Sequence, residues 1–329
     1  MSNLPTKIDG IAVPTPAAIA MLRSDLRPYT RVTPVLERDD VGPLAGTRLN
    51  FKFELLQVSG TFKARGAFSN LLGLDEAARA RGVTGISAGN HAVAVAYAAM
   101  RLGISAKVVM LKTANPARVA LCRDYGAEIV MAEDGASGFA MVREIEKKEG
   151  RYFVHPFNGY RTILGTATLG AEWYEQAPGM DAVILPIGGG GLAAGVATAF
   201  KQANPDIAIY GVEPEGATGM AQSFATGGPV KVASLTGIVD SLNAPHTEAY
   251  SYGLCRASID ALVTVSDDEL RTAMRLLFAE LKLATEPACA AATAAALFPL
   301  RERIAGKRVG VLLCGVNTDP ATFCRHVQG

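Results

Sequence analysis

The 329-residue sequence is short of net charge: 32 lysines and arginines stand against 31 aspartates and glutamates. It has no basic cluster interleaved with aromatic residues, so nothing tracks a phosphate backbone and nucleic acid is not an expected partner. Five cysteines, Cys122, Cys255, Cys289, Cys314 and Cys324, form an odd, widely spaced set without a Cys-x-x-Cys pair. That pattern suggests neither a disulfide framework nor a cysteine zinc site and favours a reducing compartment. The opening MSNLPTKIDG lacks a basic start followed by an apolar signal core. No stretch of about 20 strongly apolar residues follows. The alanine-rich segment Ala288 to Leu300 therefore reads as a buried helix, and a cytoplasmic protein without membrane contact is expected. Repeats, proline- or serine-rich linkers and charge blocks are absent too, so composition marks no domain edge.

What is present is core. Hydrophobic residues make up 49% and charged residues 19%, the balance of a compact chain rather than a disordered one. Single cores stop growing near ~250 to 300 residues, which bounds the chain at one or two domains. Short β-rich runs alternate with helical patterns: Ala106 to Leu111, Pro116 to Tyr125, Glu128 to Ala132, then Gly138 to Lys148. A second series has Asp181 to Ile187, Leu192 to Gln202, Ile207 to Glu213 and Arg308 to Leu313. Both rhythms are those of open parallel α/β sheets, whose ligands sit beyond the carboxyl ends of strands.

Three segments after strands or at helix starts carry chemistry. The apolar run ending at Ile187 enters Gly188-Gly189-Gly190-Gly191 and then an alanine-rich helix. Consecutive glycines let backbone N–H groups converge on one anion, and the helix start adds positive potential. No lysine or serine follows as in a nucleotide P-loop, so the loop indicates a phosphate without naming its owner. In Ser59-Gly60-Thr61-Phe62-Lys63-Ala64-Arg65-Gly66-Ala67, Ser59 or Thr61 is placed to cap a helix whose first turn holds Lys63. A cation there opposes the helix dipole, and burial would lower its pKa further toward that of a Schiff-base amine. A solvated surface lysine is the bland alternative for this segment alone. Ser87-Ala88-Gly89-Asn90-His91-Ala92 gathers hydroxyl, amide and backbone N–H groups at a helix start, suited to a carboxylate, with capping and packing as the alternative.

Together with Val212-Glu213-Pro214, Glu286-Pro287 and Cys314-Gly315-Val316-Asn317, these segments resemble, in order and spacing, the fold-type II pyridoxal-phosphate enzymes. The likeness is to their serine/threonine dehydratase and serine racemase branch, and it covers roughly residues 20 to 325. It implies a tryptophan synthase β-like α/β fold of two open parallel-sheet domains with the cofactor between them. Residues 1–52 plus 156–329 would form the large domain and 53–155 a small domain inserted in it. By the same resemblance Lys63 carries pyridoxal 5′-phosphate, Phe62 lies near its ring, Asn90 bonds its hydroxyl and Gly188 to Gly191 hold its phosphate. Ser87, Gly89, Asn90 and His91 would take the substrate carboxylate, with Ser241 adding a substrate contact. Cys314 stands where the pyridine nitrogen is approached. A neutral thiol there makes the ring a moderate electron sink, which suits elimination, with Lys63 as base for the α-proton.

The implied reaction is β-elimination of L-threonine and/or L-serine to a 2-keto acid and ammonia. A hydroxyaspartate or an aryl serine is the alternative substrate, racemisation is less expected, and a non-catalytic nucleotide-binding protein is the reading from another class. Serine racemases carry a serine where this chain has Ala88, and a methyl group moves no proton. Glu213 is a candidate monovalent-cation ligand or an ordinary loop acid, and Gly219 stands where a second carboxylate would complete a divalent site. Val239-Asp240-Ser241 and Gly165-Thr166-Ala167-Thr168 depart from the common dehydratase pattern at places that the resemblance puts in the substrate pocket; Arg161 is either solvated or a contact for a second carboxylate. With the sequence stopping at Gly329, no C-terminal regulatory domain is expected, and a homodimer is the default assembly.

Overall fold

The computed structural model describes residues 4–87 and 89–329. Near the amino end a small hairpin pairs β1 (Lys7–Ile8) with β2 (Ile11–Ala12). Strands β3 (Val35–Arg38) and β4 (Arg48–Lys52) come next, then β5 (Val83–Ser87), β6 (Ala106–Leu111), β7 (Glu128–Ala132) and β8 (Tyr152–Phe153). The chain continues with β9 (Ala182–Pro186), β10 (Ala208–Pro214), β11 (Ala261–Val265) and β12 (Arg308–Leu312).

They build two sheets. One has the order β11-β10-β9-β12-β4-β3, parallel except for edge strand β3; the other, β7-β6-β5-β8, is parallel throughout. The α/β class and its parallel sheets are thus as expected. The reason is visible in the strand sequences: β9, Ala-Val-Ile-Leu-Pro, is buried at every position, as a strand covered on both faces must be. The alanine-rich helix is likewise buried all round, spanning Pro287–Leu297 against the six-stranded sheet with helix Asp267–Leu281 over it. It stops at Leu297 rather than Leu300, and a short helix, Arg301–Ile304, follows. Among the described residues no helix is long and apolar enough to cross a membrane.

Strand order positions the chemistry. The last strand, β12, slots between β9 and β4, so the turns leaving β9 and β12 emerge side by side at one edge. The segment leaving β4 then runs back along the end of β12. Leu313 N donates to Lys52 O, Leu55 N to Leu313 O and Phe62 N to Cys314 O, with a bridge between Thr61 and Gly315. Lys63 is delivered beside Cys314 by this zipper, although the two residues lie near opposite ends of the chain.

Candidate active site

A cavity enclosing about 990 Å³ of non-atom space, part of it open to solvent, lies at the carboxyl ends of both sheets. Phe62, Lys63, Ser87, Gly89, Asn90, His91, Gly188 to Gly191, Ser241 and Cys314 all line it. The structure therefore gathers around one space the residues expected to hold the cofactor and the substrate carboxylate, together with Ser241, whereas Glu213 is not among them.

The glycine loop joins β9 to the helix Gly191–Ala203. Gly190 has φ +91°, a left-handed conformation that disfavours any side chain. A Cβ on Gly189 would stand 2.2 Å from the Phe157 ring, so the loop lies flat on that ring with its other side lining the cavity. Glycine thus produces a close-fitting backbone cradle at a helix start, where an anion is favoured.

Lys63 opens the helix Lys63–Leu72, as expected, but without the side-chain cap that Ser59 or Thr61 was to supply. Ser59 is instead in a left-handed turn with φ +60°, its hydroxyl has no partner among the described residues, and Thr61 Oγ1 is 3.5 Å from Lys63 N. The helix is held by another device. Arg65, two residues on, is buried with Nε 2.6 Å from Glu54 and Nη2 3.0 Å from Glu172, and Glu172 also takes the buried Lys52 ammonium. This network fixes the start of the lysine helix against the large sheet. A hint of it exists in the sequence, since Lys52 and Arg65 fall inside apolar surroundings. The Lys63 amine lies 5.1 Å from the Phe62 ring centroid and donates to the carbonyl of Pro156. Burial lowers its pKa from 10.5 to about 8, with Cys314 opposing weakly.

The loop leaving β5 is organised by Ser87, whose Oγ accepts the backbone N–H groups of Gly89 at 2.8 Å and His91 at 3.3 Å. His91 Nε2 lies 2.7 Å from the Val154 carbonyl, and burial, then the Lys63 charge, depress its pKa to about 3. It is a neutral ring at ordinary pH. The Asn90 amide donates to Glu286 Oε1 at 2.7 Å and accepts from Asn317 at 2.8 Å. Glu286 in turn meets Arg118, whose guanidinium also reaches Asp240, Ser241 Oγ at 3.4 Å and the Asn317 carbonyl at 2.7 Å. Arg118 passed unnoticed in the sequence, where only a solvated helix arginine was visible. Gly89 makes room for it, since a Cβ there would strike Arg118 Cδ.

Cys314 is buried, and its hydrogen bond with Cys289, then burial, hold its thiol well above the ordinary value, hence protonated. Glu213 stands apart from the cavity: its two oxygens accept the N–H groups of Met220 and Ala221 and so cap the helix Gly219–Thr226. Burial raises its pKa to about 7 against those two bonds. Among the described residues, the one cluster with metal-ligating potential, His155, His246 and Glu248, does not include it.

One pocket assignment is corrected, and for Arg161 the solvated reading holds. Gly165 to Thr168 lie within the helix Tyr160–Gln176, where a Cβ on Gly165 would be 2.5 Å from the Arg65 carbonyl and Thr166 Oγ1 bonds the Gly191 carbonyl at 2.8 Å. They serve helix packing behind the glycine loop and do not line the main cavity. Arg161 is exposed and lies over Gly73, outside the cavity lining. Ala88 falls outside the described residues. The sequence reading also missed the apolar wall of the cavity, formed by Ile86, Leu111, Phe139, Phe157 and Pro245. Ile86 and Leu111 come from strands of the four-stranded sheet, Phe139 from a helix, and Phe157 and Pro245 from loops.

A half-buried lysine with a lowered pKa, lining one cavity with a glycine cradle at a helix start, is the arrangement of an enzyme that holds a phosphorylated aldehyde covalently. The chain matches the model of the pyridoxal-phosphate dependent enzymes over residues 26–315 and belongs to that family, with pyridoxal 5′-phosphate as its cofactor. It is 67% identical over 322 residues to a phenylserine dehydratase of Ralstonia pickettii, covering 98% of this chain and 99% of that one. It is 40% identical to the catabolic L-threonine dehydratase of Escherichia coli over 270 residues, 82% of each chain. The solved structure of maize serine racemase superposes with a TM-score of 0.89 at 33% identity, covering 95% and 96% of the two chains.

Proposed function

We propose that the protein dehydrates a β-aryl-β-hydroxy amino acid of the phenylserine type, releasing a 2-keto acid and ammonia. The observation that carries this reading is the 67% identity, along nearly the whole chain, to a phenylserine dehydratase. The apolar wall of the cavity supports it, since a phenyl group gains by leaving water. The expectation of L-threonine or L-serine thereby becomes the second reading, supported by the 40% identity to a threonine dehydratase.

Within this proposal the backbone of Gly188 to Gly191 holds the cofactor phosphate, Lys63 binds the cofactor covalently, and Phe62 and Asn90 border its ring. Bound pyridoxal phosphate supplies an electron-accepting ring conjugated to the α-carbon. The Ser87 to His91 loop positions the substrate carboxylate through its helix start, and neutral His91 contributes shape rather than charge. Once free of the cofactor, Lys63 Nζ would take the α-proton and return it to the β-hydroxyl oxygen, so that the Cβ–O bond breaks with water as the leaving group. The protonated thiol of Cys314 offers the ring no counter-charge, which favours this elimination over reactions that need a stronger electron sink. Hydrolysis of the released product yields the keto acid and ammonia.

The test is a panel of L-phenylserine, L-threonine, L-serine and hydroxyaspartate, read as keto acid and ammonia. A kcat/KM for phenylserine at least about 10-fold above that for threonine is expected, the size of preference a pocket contact supplies. Preference for threonine or serine overturns the proposal.

A further inference from the structure

Between β8 and the helix Tyr160–Gln176 the chain has no regular structure, yet it touches both groups assigned to the cofactor. The Pro156 carbonyl accepts the Lys63 amine, and the Phe157 ring lies under Gly189. The Phe157 carbonyl stands under Gly191, where a Cβ would meet it at 2.4 Å. Such a turn keeps its shape only if its own backbone groups are satisfied. Pro156 has no N–H to satisfy. The next two N–H groups, of Phe157 and Asn158, donate to His155 Nδ1 at 3.3 and 3.0 Å. Among the described residues no backbone carbonyl takes either of them. The His155 ring also meets the Phe157 ring edge to face, with centroids 4.7 Å apart.

These two donors fix the tautomer of His155. A backbone N–H only donates, so Nδ1 presents a lone pair and the single proton of the neutral ring lies on Nε2. Nε2 faces Glu248 Oε1 at 3.6 Å, and the same oxygen lies 3.1 Å from His246 Nε2. A metal-bound histidine donates from its other nitrogen, whereas Nδ1 here accepts, so this tautomer does not suit a metal at Nε2. Burial lowers the pKa of the ring below the ordinary 6.5, with Glu248 opposing and His246 and Arg143 of the helix Gly135–Glu149 adding to the fall. His91, also a neutral ring, is a further ionisable neighbour. His155 is therefore neutral at ordinary pH and free to accept at Nδ1.

We propose that His155 is a positioning residue for the cofactor: its bare Nδ1 holds the turn that sets the Pro156 carbonyl against Lys63 and the Phe157 ring under the glycine loop. This rests on the assignment of Lys63 and Gly188 to Gly191 to pyridoxal phosphate and deepens it. His155 does not itself line the cavity. It acts through the turn, because a loop already held in shape spares the cost of ordering it on binding.

The experiment sets His155→Asn against His155→Gln. The Oδ1 of asparagine stands at the same place along the side chain as Nδ1 of histidine, and it accepts nearby backbone N–H groups in turns. Glutamine lacks that acceptor but keeps an amide N–H at the reach of Nε2, toward Glu248. Dissociation of cofactor from the holoenzyme is measured by equilibrium dialysis, with circular dichroism to confirm the fold. His155→Asn is expected to stay within about 3-fold of wild type and His155→Gln to bind about 5- to 150-fold more weakly, the worth of two hydrogen bonds. Affinity in His155→Gln no weaker than in His155→Asn overturns the role of His155. Hydrogen exchange at the Phe157 and Asn158 amides gives a reading that needs no variant: slow exchange is expected in wild type, and fast exchange at both overturns the proposal. Borohydride reduction of the wild-type holoenzyme and peptide mapping test the underlying assignment separately. Cofactor linked to a lysine other than Lys63 would overturn that assignment, whereas a link to Lys63 leaves it standing whatever the two variants show.

Discussion

The Arg118 guanidinium meets the Glu286 carboxylate at 3.0 Å across 168 residues of sequence, both side chains almost wholly buried. Arg118 belongs to the helix Pro116–Asp124, which joins β6 to β7 of the smaller sheet, whereas Glu286 opens the helix Pro287–Leu297 that packs on the larger sheet, and Asp240 and the Asn317 carbonyl lie in loops. One side chain thus ties the two units at the rim of the cavity. Because Glu286 also holds the Asn90 amide, the tie extends to the loop proposed to bind the substrate carboxylate. Burial raises the pKa of Glu286, with Arg118 and Asn90 opposing that rise.

Arg118→Ala leaves a buried carboxylate without its cation, a loss of about 3–5 kcal/mol in stability. Adding Glu286→Gln removes the stranded charge, so the double variant is expected to be more stable than Arg118→Ala alone. Denaturant unfolding of the two single variants and the double gives the coupling directly. Additive losses would show that the pair is not energetically linked.

Lys63 gives a pH dependence with a definite sign. Burial lowers its pKa to about 8, so in the cofactor-free protein the amine is mostly charged below that pH and mostly neutral above it. Attack on the aldehyde of pyridoxal phosphate requires the neutral amine. The rate at which yellow colour returns on adding cofactor is expected to rise with pH and level off above about 8. In the same protein, stability should rise between about pH 8 and 10.5, where the unfolded lysine holds a proton that the folded one has lost. A reconstitution midpoint near 10.5 would mean that the amine is solvated.

The glycine loop is tested at Gly189, whose Cα faces the Phe157 ring. The Cβ introduced by Gly189→Ala would overlap that ring, and relief of such overpacking costs about 1–3 kcal/mol. If the loop holds the phosphate, that strain is expected to appear as cofactor affinity lowered by about 5- to 150-fold. Equilibrium dialysis of the cofactor, with circular dichroism to confirm the fold, measures it. Unchanged affinity would place the phosphate elsewhere.

The fold was legible wherever a strand is buried on both faces. Ala106–Leu111 and Glu128–Ala132 have the bounds the apolar runs indicate, and β9, β10 and β12 differ by a residue or so at their ends. The glycine loop and Lys63 were legible because strand, loop and helix start are contiguous. Other features depend on partners far along the chain. The 61–63 segment suggested a side-chain cap, but pairing of Thr61 with Gly315 took over the placement of that turn. Arg118, Phe139 and Pro245 are ordinary residues in sequence and acquire their places only when β12 inserts between β9 and β4 and the two sheets meet. The segment Gly165 to Thr168 reads as pocket from its departures at Thr166 and Ala167, whereas what Gly165 answers to is close contact between two helix backbones.

Racemisation provides the last test, and it turns on Ala88. To invert the α-carbon, a proton removed on one face must be replaced on the other, so two proton carriers are needed. Lys63 is the carrier proposed on one side. The residue standing where serine racemases place a serine is Ala88, whose methyl neither gives nor takes a proton. The neighbouring Ser87 hydroxyl is held as an acceptor by the N–H groups of Gly89 and His91, which ties it to the loop backbone. L-serine recovered after partial turnover is therefore expected to remain the L enantiomer, by chiral chromatography, even where deuterium from heavy water has entered its α-position. Ala88→Ser should then produce measurable D-serine, because it restores a hydroxyl beside the same carboxylate loop. D-serine formed by the wild type at a rate comparable to keto acid would mean that a second proton carrier operates, and that Lys63 is not the sole base.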